Sequence, residues 1–555
     1  MTTFTKSLFG TALLLLVPLT GPGREPIYDG LGSYTRPITT RQQDAQRYFD
    51  QGLAWFYGFN HGAALRSFRQ AAEIDPECAM AHWGVALALG PHINLPLVPP
   101  DAAEEAVRRL QKAQEFSRAC TEVEQALITA LARRYEHPQP EDRRPLDQAY
   151  ADALRQVWRQ YPQDPDVGAL FAEAMMILRP WDLWTPEGQP QPGTEEIVAT
   201  LDAVLALHEA HPFANHLYIH ALEASPQPER AVAAADRLRE LQPGLAHNVH
   251  MPSHIDIRNG RWHEAVTANQ KAIAAAERFR AIAGPPQGPI YVYNAHNYHM
   301  LAYAAMMTGQ AELAVRHIQS MVRSLPDDFV KDFAPMVDAY IAMPYEVLLR
   351  FGRWDEVLAA PEHPEHLPFA RALRHAARAV ALAAKGDPAA GRAEQRQYEA
   401  AAPLVPEQWT IGPVPALTIL EVVTPMVEGE IRYREGDVNG GLEHLRRAVA
   451  AEDALRYFEP PAWFLPVRHA LGAALMDAGR FAEAEDVYRE DLRRQPENGW
   501  SLYGLAASLR ARQRNDEAAP IVQRFETIWR HADTRISSSC LCLPGQERSR
   551  LTAAR

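Results

Sequence analysis

In "QGLAWFYGFNHGAALRSFRQAAEIDP" the small and apolar positions fall at fixed offsets from one glycine. Measured from Gly52, Ala64 lies 12 on, Phe68 16 on, Ala71 19 on and Pro76 24 on. Near the other end, "HALGAALMDAGRFAEAEDVYREDLRRQP" keeps the same spacing. From Gly472, Gly479 lies 7 on, Ala484 12 on, Tyr488 16 on and Pro496 24 on. Small residues at such points let two antiparallel helices approach closely, and proline, with no N–H to donate, ends the second of them. The pattern predicts helix pairs joined by short turns. Alanine is very frequent and long β-branched runs are scarce, so nothing argues for a sheet.

With these offsets the chain resembles the tetratricopeptide repeat (TPR) family, whose 34-residue helix-turn-helix units carry the same small, aromatic and proline positions. Further units are indicated by "GRWHEAVTANQKAI", "GQAELAVRHI", "GRWDEVLAA", "GDPAAGRAEQRQY" and "GDVNGGLEHLRRAV". The resemblance covers most of residues 42–530, strongest at the two ends. It implies an all-α fold, a curved α-solenoid whose concave face is lined by the first helix of each unit. Three stretches, "AQRYFDQGLAWFYGFNHGAALRSFRQAAEIDPECAMAHWGVALALGPHIN", "HPFANHLYIHALEASPQPERA" and "HMPSHIDIRNGRW", also resemble a group of predicted exported bacterial TPR proteins. That resemblance names no activity. The TPR likeness implies a small molecule, peptide or partner protein bound in the groove, and fold-level analogy gives no reaction.

Four Pro-rich segments interrupt the period: "GPHINLPLVPPDA" (90–102), "LRPWDLWTPEGQPQPG" (178–193), "AGPPQGPIYVY" (283–293) and "PEHPEHLPF" (361–369). Long insertions in repeat arrays gather on one face and often shape a binding site. The second carries Trp181 and Trp184, which are costly to leave in water, and reads as an aromatic lid. The fourth, with His363 and His366, reads as a solvated loop.

Histidine changes the picture. Ten of the 21 histidines fall between His208 and His299, where an even spread would put three or four, so their positions need explaining. The TPR resemblance implies that positions 2, 5, 9 and 12 of each first helix face the groove. With Ala231 and Pro243 fitted to positions 20 and 32, His216 is at 5, His220 at 9 and Glu223 at 12. The spacing i, i+4, i+7 alone puts these three on one stripe of a helix. With Gly260 and Ala265 at 15 and 20, which needs a two-residue insertion after Pro243, His247, His250 and His254 fall at 2, 5 and 9. With Gly309 and Ala314 fixing the third unit, His296 and His299 fall at 2 and 5. Pro252 is tolerated only in a first helical turn, so a helix is expected to begin near Met251, leaving His247 and His250 on the entering loop.

Imidazole nitrogen is the commonest ligand for zinc, copper and iron, and this set has enough nitrogens for one ion or two. An open coordination position would make such a site catalytic, a closed one structural. Asn215, Asn294 and Asn297 are adjacent amides able to orient ligands. No strict zinc spacing such as H-E-x-x-H is present. The plain alternative is a set of helix histidines each hydrogen-bonded to a neighbour, as expected for His61, His82 and His92. It weakens for the set, because unrelated histidines would occupy packing and solvent faces too. His208, His211 and His263 do fall outside it.

Two readings follow: a transition-metal centre, which with an open position would make a metal-dependent enzyme of unknown reaction, or a metal-free TPR scaffold that binds a peptide or protein. The sequence has no phosphate-cradling glycine loop, dinucleotide fingerprint or G-x-S-x-G, so no nucleotide cofactor is expected. With 56 basic and 69 acidic residues the chain carries −13, against a nucleic-acid surface. Residues 1–24, with Lys6 before an apolar run, read as an export signal and place the protein outside the cytoplasm. The run is too short to span a bilayer. The expected organisation is then an N-terminal array with the histidine-lined groove over 25–320 and a C-terminal array over 321–536. A tail over 537–555 carries Cys540 and Cys542, either a soft-metal or redox pair or loose chain.

Overall fold

The computed structural model describes residues 24–286 and 290–541. Residues 1–23, on which the export signal falls, lie outside them, as does Cys542. The described chain is a succession of α-helices packed on their neighbours, with one two-residue hairpin, Thr410–Ile411 against Val414–Pro415. It is the all-α solenoid of TPR-like units. Among the described residues no helix is long and apolar enough to cross a membrane.

The fixed offsets have a steric origin. Helix Gln43–Tyr57 lies on His61–Ile74, which lies on Ala79–Ala88. The Phe68 ring of the middle helix fills the space where Gly52 of the first and Gly84 of the third would carry a Cβ. Tyr488 is clamped in the same way between Gly472 and Gly504. One aromatic ring therefore sets the contact of three successive helices, and any side chain at the glycines would overpack it. The turns are equally specific. Asn60 caps the helix after it by accepting from the Ala63 N–H at 3.1 Å, and Gly309 turns the chain at φ 71°, a left-handed conformation that a Cβ disfavours.

The buried apolar residues form two cores. One runs from Tyr28 to Ile255, the other from Ile257 to Cys540. The histidine units straddle the junction. The C-terminal units also fold back onto them. The Trp262 indole N–H donates to the Pro496 carbonyl at 2.8 Å, that of Trp500 donates to Met306 at 2.8 Å, and Asp533 accepts from the Ala311 N–H at 2.6 Å. Glu459 and Phe464 of those later units also stand against the groove-facing His254 and His299, so this stretch of the concave face is covered.

A helix does begin at Pro252, just after Met251 as expected; what differs is the segment before it. Ala246–His250 is itself helical, and Met251 keeps right-handed angles (φ −50°, ψ −39°) into Pro252–Arg258. The two short helices follow one another through Met251 without a loop, and the His254 N–H bonds the Met251 carbonyl at 3.1 Å. The Met251 N–H reaches His247 O at 2.9 Å, and the Ser253 hydroxyl occupies the His250 carbonyl at 2.7 Å. His247 and His250 therefore stand on helix, ahead of the proline, and not on an entering loop.

Candidate metal centre

The first histidine unit opens with Pro212–Leu222, begun by a proline at its first turn and capped by His211, whose Nδ1 accepts from the Ala214 N–H at 3.1 Å. His216 and His220, one turn apart, face the same way. The His216 Nδ1 lies 2.7 Å from the Tyr57 carbonyl. A carbonyl only accepts, so the proton is on Nδ1 and Nε2 carries a bare lone pair. The His220 Nδ1 lies 3.0 Å from Glu223 Oε1, one turn further on. Burial would raise the Glu223 carboxyl, but His220 and His254 outweigh it and hold the group ionised, below its usual range. His220 therefore donates from Nδ1 and also presents a bare Nε2.

The third ring comes from the next unit: His247 lies 4.9 Å from His216 and 6.0 Å from His220 between centroids. The Nε2 atoms of His216, His220 and His247 are all buried with no hydrogen-bond partner. One ligating atom from each ring lies within 4.8 Å of the others, the scale of two metal–nitrogen bonds of about 2.0–2.1 Å. Each such orphan costs about 1–3 kcal/mol unless something fills it. Burial holds His216 and His247 well below the ordinary imidazole range, so both rings are neutral near pH 7. Three convergent imidazoles, each with an unpartnered Nε2 and two of them fixed from behind by a carbonyl and a carboxylate, are the donor set an imidazole-loving metal needs.

The second unit places His250, His254 and His296 together as well, with ligating atoms within 4.8 Å, but its nitrogens find partners among themselves. Asn269 donates its amide to Ala265 O at 2.9 Å, which turns its oxygen toward His250 Nδ1 at 2.7 Å. His250 Nε2 then faces His254 Nε2 at 2.8 Å. The other His254 nitrogen, Nδ1, lies 2.8 Å from Glu223 Oε2 and 3.0 Å from Glu459 Oε2, with its ring direction aligned to neither. Burial would lower the His254 pKa, but the two carboxylates raise it above the usual range. Glu459, by contrast, is raised by burial more than His254 lowers it. Glu223, His254 and Glu459 form a third convergent group.

Seven of the eight candidate ligands thus belong to these groups: His216, His220, Glu223, His247, His250, His254 and His296. His299 does not. Its ring stacks on Phe464 (5.1 Å, 24°) and meets Tyr340 edge-on at 5.5 Å, and burial pushes its pKa down to about 3. The residue that sequence reasoning missed is Glu459, delivered by the "RYFEPPAWF" segment of the C-terminal array. Its Glu-Pro-Pro in an aromatic setting was the available cue.

Three of the four Pro-rich insertions reach this site. Trp181 meets the His220 ring edge-on at 5.5 Å, while Trp184 anchors the same segment by donating to Ala221 O at 2.8 Å. Tyr293 lies 4.9 Å from His247. From the first insertion His92 stacks on Phe59 at 4.7 Å, with His61 4.5 Å beyond it. Phe59 is the shared wall: it also contacts His216 at 4.5 Å, His247 at 5.6 Å and His220 at 5.8 Å. Phe59 and Trp181 both hold left-handed backbone angles, φ 55° and 58°, a strain of order 1–3 kcal/mol each placed against the histidines. His61 and His92 are therefore neighbours of the centre and not only scaffold residues, whereas His82 is structural, bonded to Pro76 O at 2.9 Å.

Other expectations resolve differently. Asn215 turns its amide to the Glu209 and His211 carbonyls, both at 2.8 Å, away from the ligands; the amide that orients a histidine is Asn269. His363 is held by the Tyr345 hydroxyl at 2.7 Å, while His366 is exposed. Ser539 and Cys540 are buried against the last units, so the chain is packed at least that far.

A large cleft of about 1130 Å³ lies apart from the histidines, lined by Tyr34, Arg36, Asp164, Asp166 and His208. It is separated from His216 by Tyr57, whose hydroxyl donates to Asp166 while its carbonyl receives the His216 proton. Beside His247 is a much smaller cavity of about 50 Å³ walled by Trp55, Phe59, Phe279 and Tyr293, room for water-sized molecules.

No protein-family model and no curated protein matches the chain. Among solved structures it is similar to the human IFIT1 dimer with m7Gppp-AAAA, at 12% identity over 88% of this chain and 91% of that one, TM-score 0.32. It is also similar to the APC/C hetero-tetramer Cut9–Hcn1, at 12% identity over 89% and 76%, TM-score 0.28. Likeness this distant bears on neither ligand nor activity.

Proposed function

We propose that the protein is a transition-metal protein whose working ion is held by His216, His220 and His247. The observation that carries this reading is the convergence of ring nitrogens from His216, His220 and His247, each ring with a buried Nε2 that has no hydrogen-bond partner. Neutral imidazoles suit zinc, copper and iron and give no reason to choose magnesium or calcium. Three protein ligands leave a coordination position open, as in catalytic and not structural sites. An ion so held would supply Lewis-acid chemistry, the basis of a metal-dependent enzyme. Around it the chain's own groups divide the work. The Tyr57 carbonyl and Glu223 fix the ligand tautomers, Phe59 and Trp181 supply an apolar wall, and the cavity beside His247 limits the ligand to a small molecule.

The other reading, a metal-free scaffold for a peptide or partner protein, requires a free concave face. Glu459 and Phe464 stand against the groove histidines, and Arg456 donates to the Trp181 carbonyl at 2.8 Å. The test is the metal content of the full-length protein, beside a His216→Asn, His247→Asn variant. Near-stoichiometric zinc, copper or iron that the variant loses supports the metal reading. A wild type that retains none after reconstitution with each metal contradicts it.

A further inference from the structure

The second histidine unit poses a donor–acceptor problem of its own, and it can be followed bond by bond. Asn269 must point its NH₂ at Ala265 O, because a carbonyl cannot donate. Its oxygen therefore accepts from His250, so the His250 proton is on Nδ1 and His250 Nε2 is bare. The 2.8 Å contact from that atom to His254 Nε2 then needs a proton on the His254 side. In the metal-free protein the two carboxylates favour a second proton on His254 Nδ1; an ion that displaces that proton meets a bare Nδ1. That nitrogen sits among acceptors only, 2.8 Å from Glu223 Oε2 and 3.0 Å from Glu459 Oε2.

Three ligating atoms, none with an aligned hydrogen-bond partner, thus lie within 4.8 Å of one another inside the protein. Glu223, His254 and Glu459 are 2%, 3% and 4% exposed. Neither oxygen of Glu459 makes a hydrogen bond. A buried carboxylate left so is costly unless a cation stands against it.

We propose that a second metal ion binds between Glu223 Oε2, His254 Nδ1 and Glu459 Oε2, with His250 and Asn269 behind it as positioning residues. The inference rests on the metal reading above and extends it to a two-ion centre. Glu223 would serve both ions, orienting His220 for the first through Oε1 and binding the second through Oε2. Two carboxylates balance the charge of a divalent ion, and the mixed nitrogen and oxygen set suits zinc, iron or manganese. The all-imidazole set, by contrast, leaves the charge of its ion uncompensated. The second site is also the one to which the C-terminal array contributes a ligand, so it would lock the two halves of the solenoid together.

Zinc titration of the chelator-treated full-length protein reads the stoichiometry directly. Two zinc ions per chain are expected in the wild type, one in Glu459→Gln, one in His216→Asn with His247→Asn, and two in His296→Asn. A wild type saturating at one zinc that Glu459→Gln leaves in place would mean that only a proton occupies the second group; the first site would stand and this proposal would fall. Two zinc ions with one lost in His296→Asn but not in Glu459→Gln would put the ion on the imidazole side and overturn the proposed donor set. No zinc at all would take both readings with it. X-ray absorption on the His216→Asn, His247→Asn variant decides the matter even if Glu459→Gln does not fold. The remaining zinc should show one imidazole and carboxylate oxygens, and three imidazoles would contradict it.

Discussion

The first two histidine units carry the same residues at the same places, histidine one turn apart followed by a third ring from the next helix, yet their chemistry differs. In the first, His220 is followed one turn on by Glu223, which takes its outer proton and leaves Nε2 bare. In the second, the corresponding residue after His254 is Ile257, and the outer partners come from elsewhere: Asn269 for His250, Glu459 for His254. The rings of the second unit therefore hydrogen-bond to each other, and the unsatisfied acceptors shift from Nε2 to the carboxylate side. What a histidine cluster can bind is set less by the rings than by the groups behind them. The C-terminal array gives the same lesson for purely structural polar groups. Asp491 accepts from His469 at 3.0 Å, Ser501 at 2.7 Å and Asn498 at 2.9 Å, and Asp338 accepts from two backbone N–H groups and the Trp409 indole. Those acceptors are filled.

The largest effect is expected in the first unit. A four-ligand structural zinc site contributes about 10–16 kcal/mol, so one ligand is worth about 3 kcal/mol, roughly a hundredfold in affinity. His216→Asn with His247→Asn should weaken the first ion by about ten-thousandfold in an isothermal titration, with the fold kept by circular dichroism. Glu223→Gln comes next, since it lies behind the first set only as an orienting group. Loss of such a partner costs about 10–100-fold in affinity, and a smaller effect would mean that the His220 tautomer is held by something other than Glu223.

Acid should separate the metal-free protein from an ordinary TPR array. His216, His247, His250 and His296 are held by burial below the unfolded-chain value, and His299 is pushed down to about 3. As pH falls below about 6.5 the unfolded chain takes up protons that the folded rings refuse, so stability falls through that window. His254 works the other way, its contribution being present below the unfolded value and lost as pH rises, but it is one ring against five. In the C-terminal array Glu346, raised by burial to about 8, loses its contribution as pH rises from the ordinary glutamate range through 8. Thermal melts of the metal-free protein should therefore move down toward pH 5. Asn269→Leu, which strands the His250 Nδ1–H, should cost about 1–3 kcal/mol in chemical denaturation without changing the first ion's affinity. The smallest effect belongs to His299→Phe. Both nitrogens of that ring lack partners between Phe464 and Tyr340, so an apolar ring of similar shape should leave stability within about 1 kcal/mol and the metal content unchanged.

These contrasts show which parts were legible beforehand. The glycine–aromatic–proline offsets predict the solenoid because each unit's packing is written within its own few dozen residues, Gly52 against Phe68 and Gly472 against Tyr488. The groove-facing register brought seven of the eight candidates together because helix periodicity carries direction. It could not see Glu459, which reaches His254 only because the solenoid closes on itself, nor Asn269, which sits on a second helix outside the groove register. Pro252 opens its helix as expected, and only the segment before it misled: a residue before proline disfavours the helical region, yet Met251 adopts it and His247 and His250 stand on a preceding helix. His299 follows the register and lies 5.7 Å from His296 between ring centroids, but Phe464 from the C-terminal array stacks on it and it joins none of the three ligand groups.

The account turns on whether the bare nitrogens of His216, His220 and His247 face a cation. Anomalous diffraction, recorded at the absorption edges of zinc, copper and iron on crystals of the full-length protein, tests this most directly. The account predicts a peak within bonding distance of all three Nε2 atoms. Density for those rings hydrogen-bonded to water, with no anomalous peak at any edge after soaking, would contradict it.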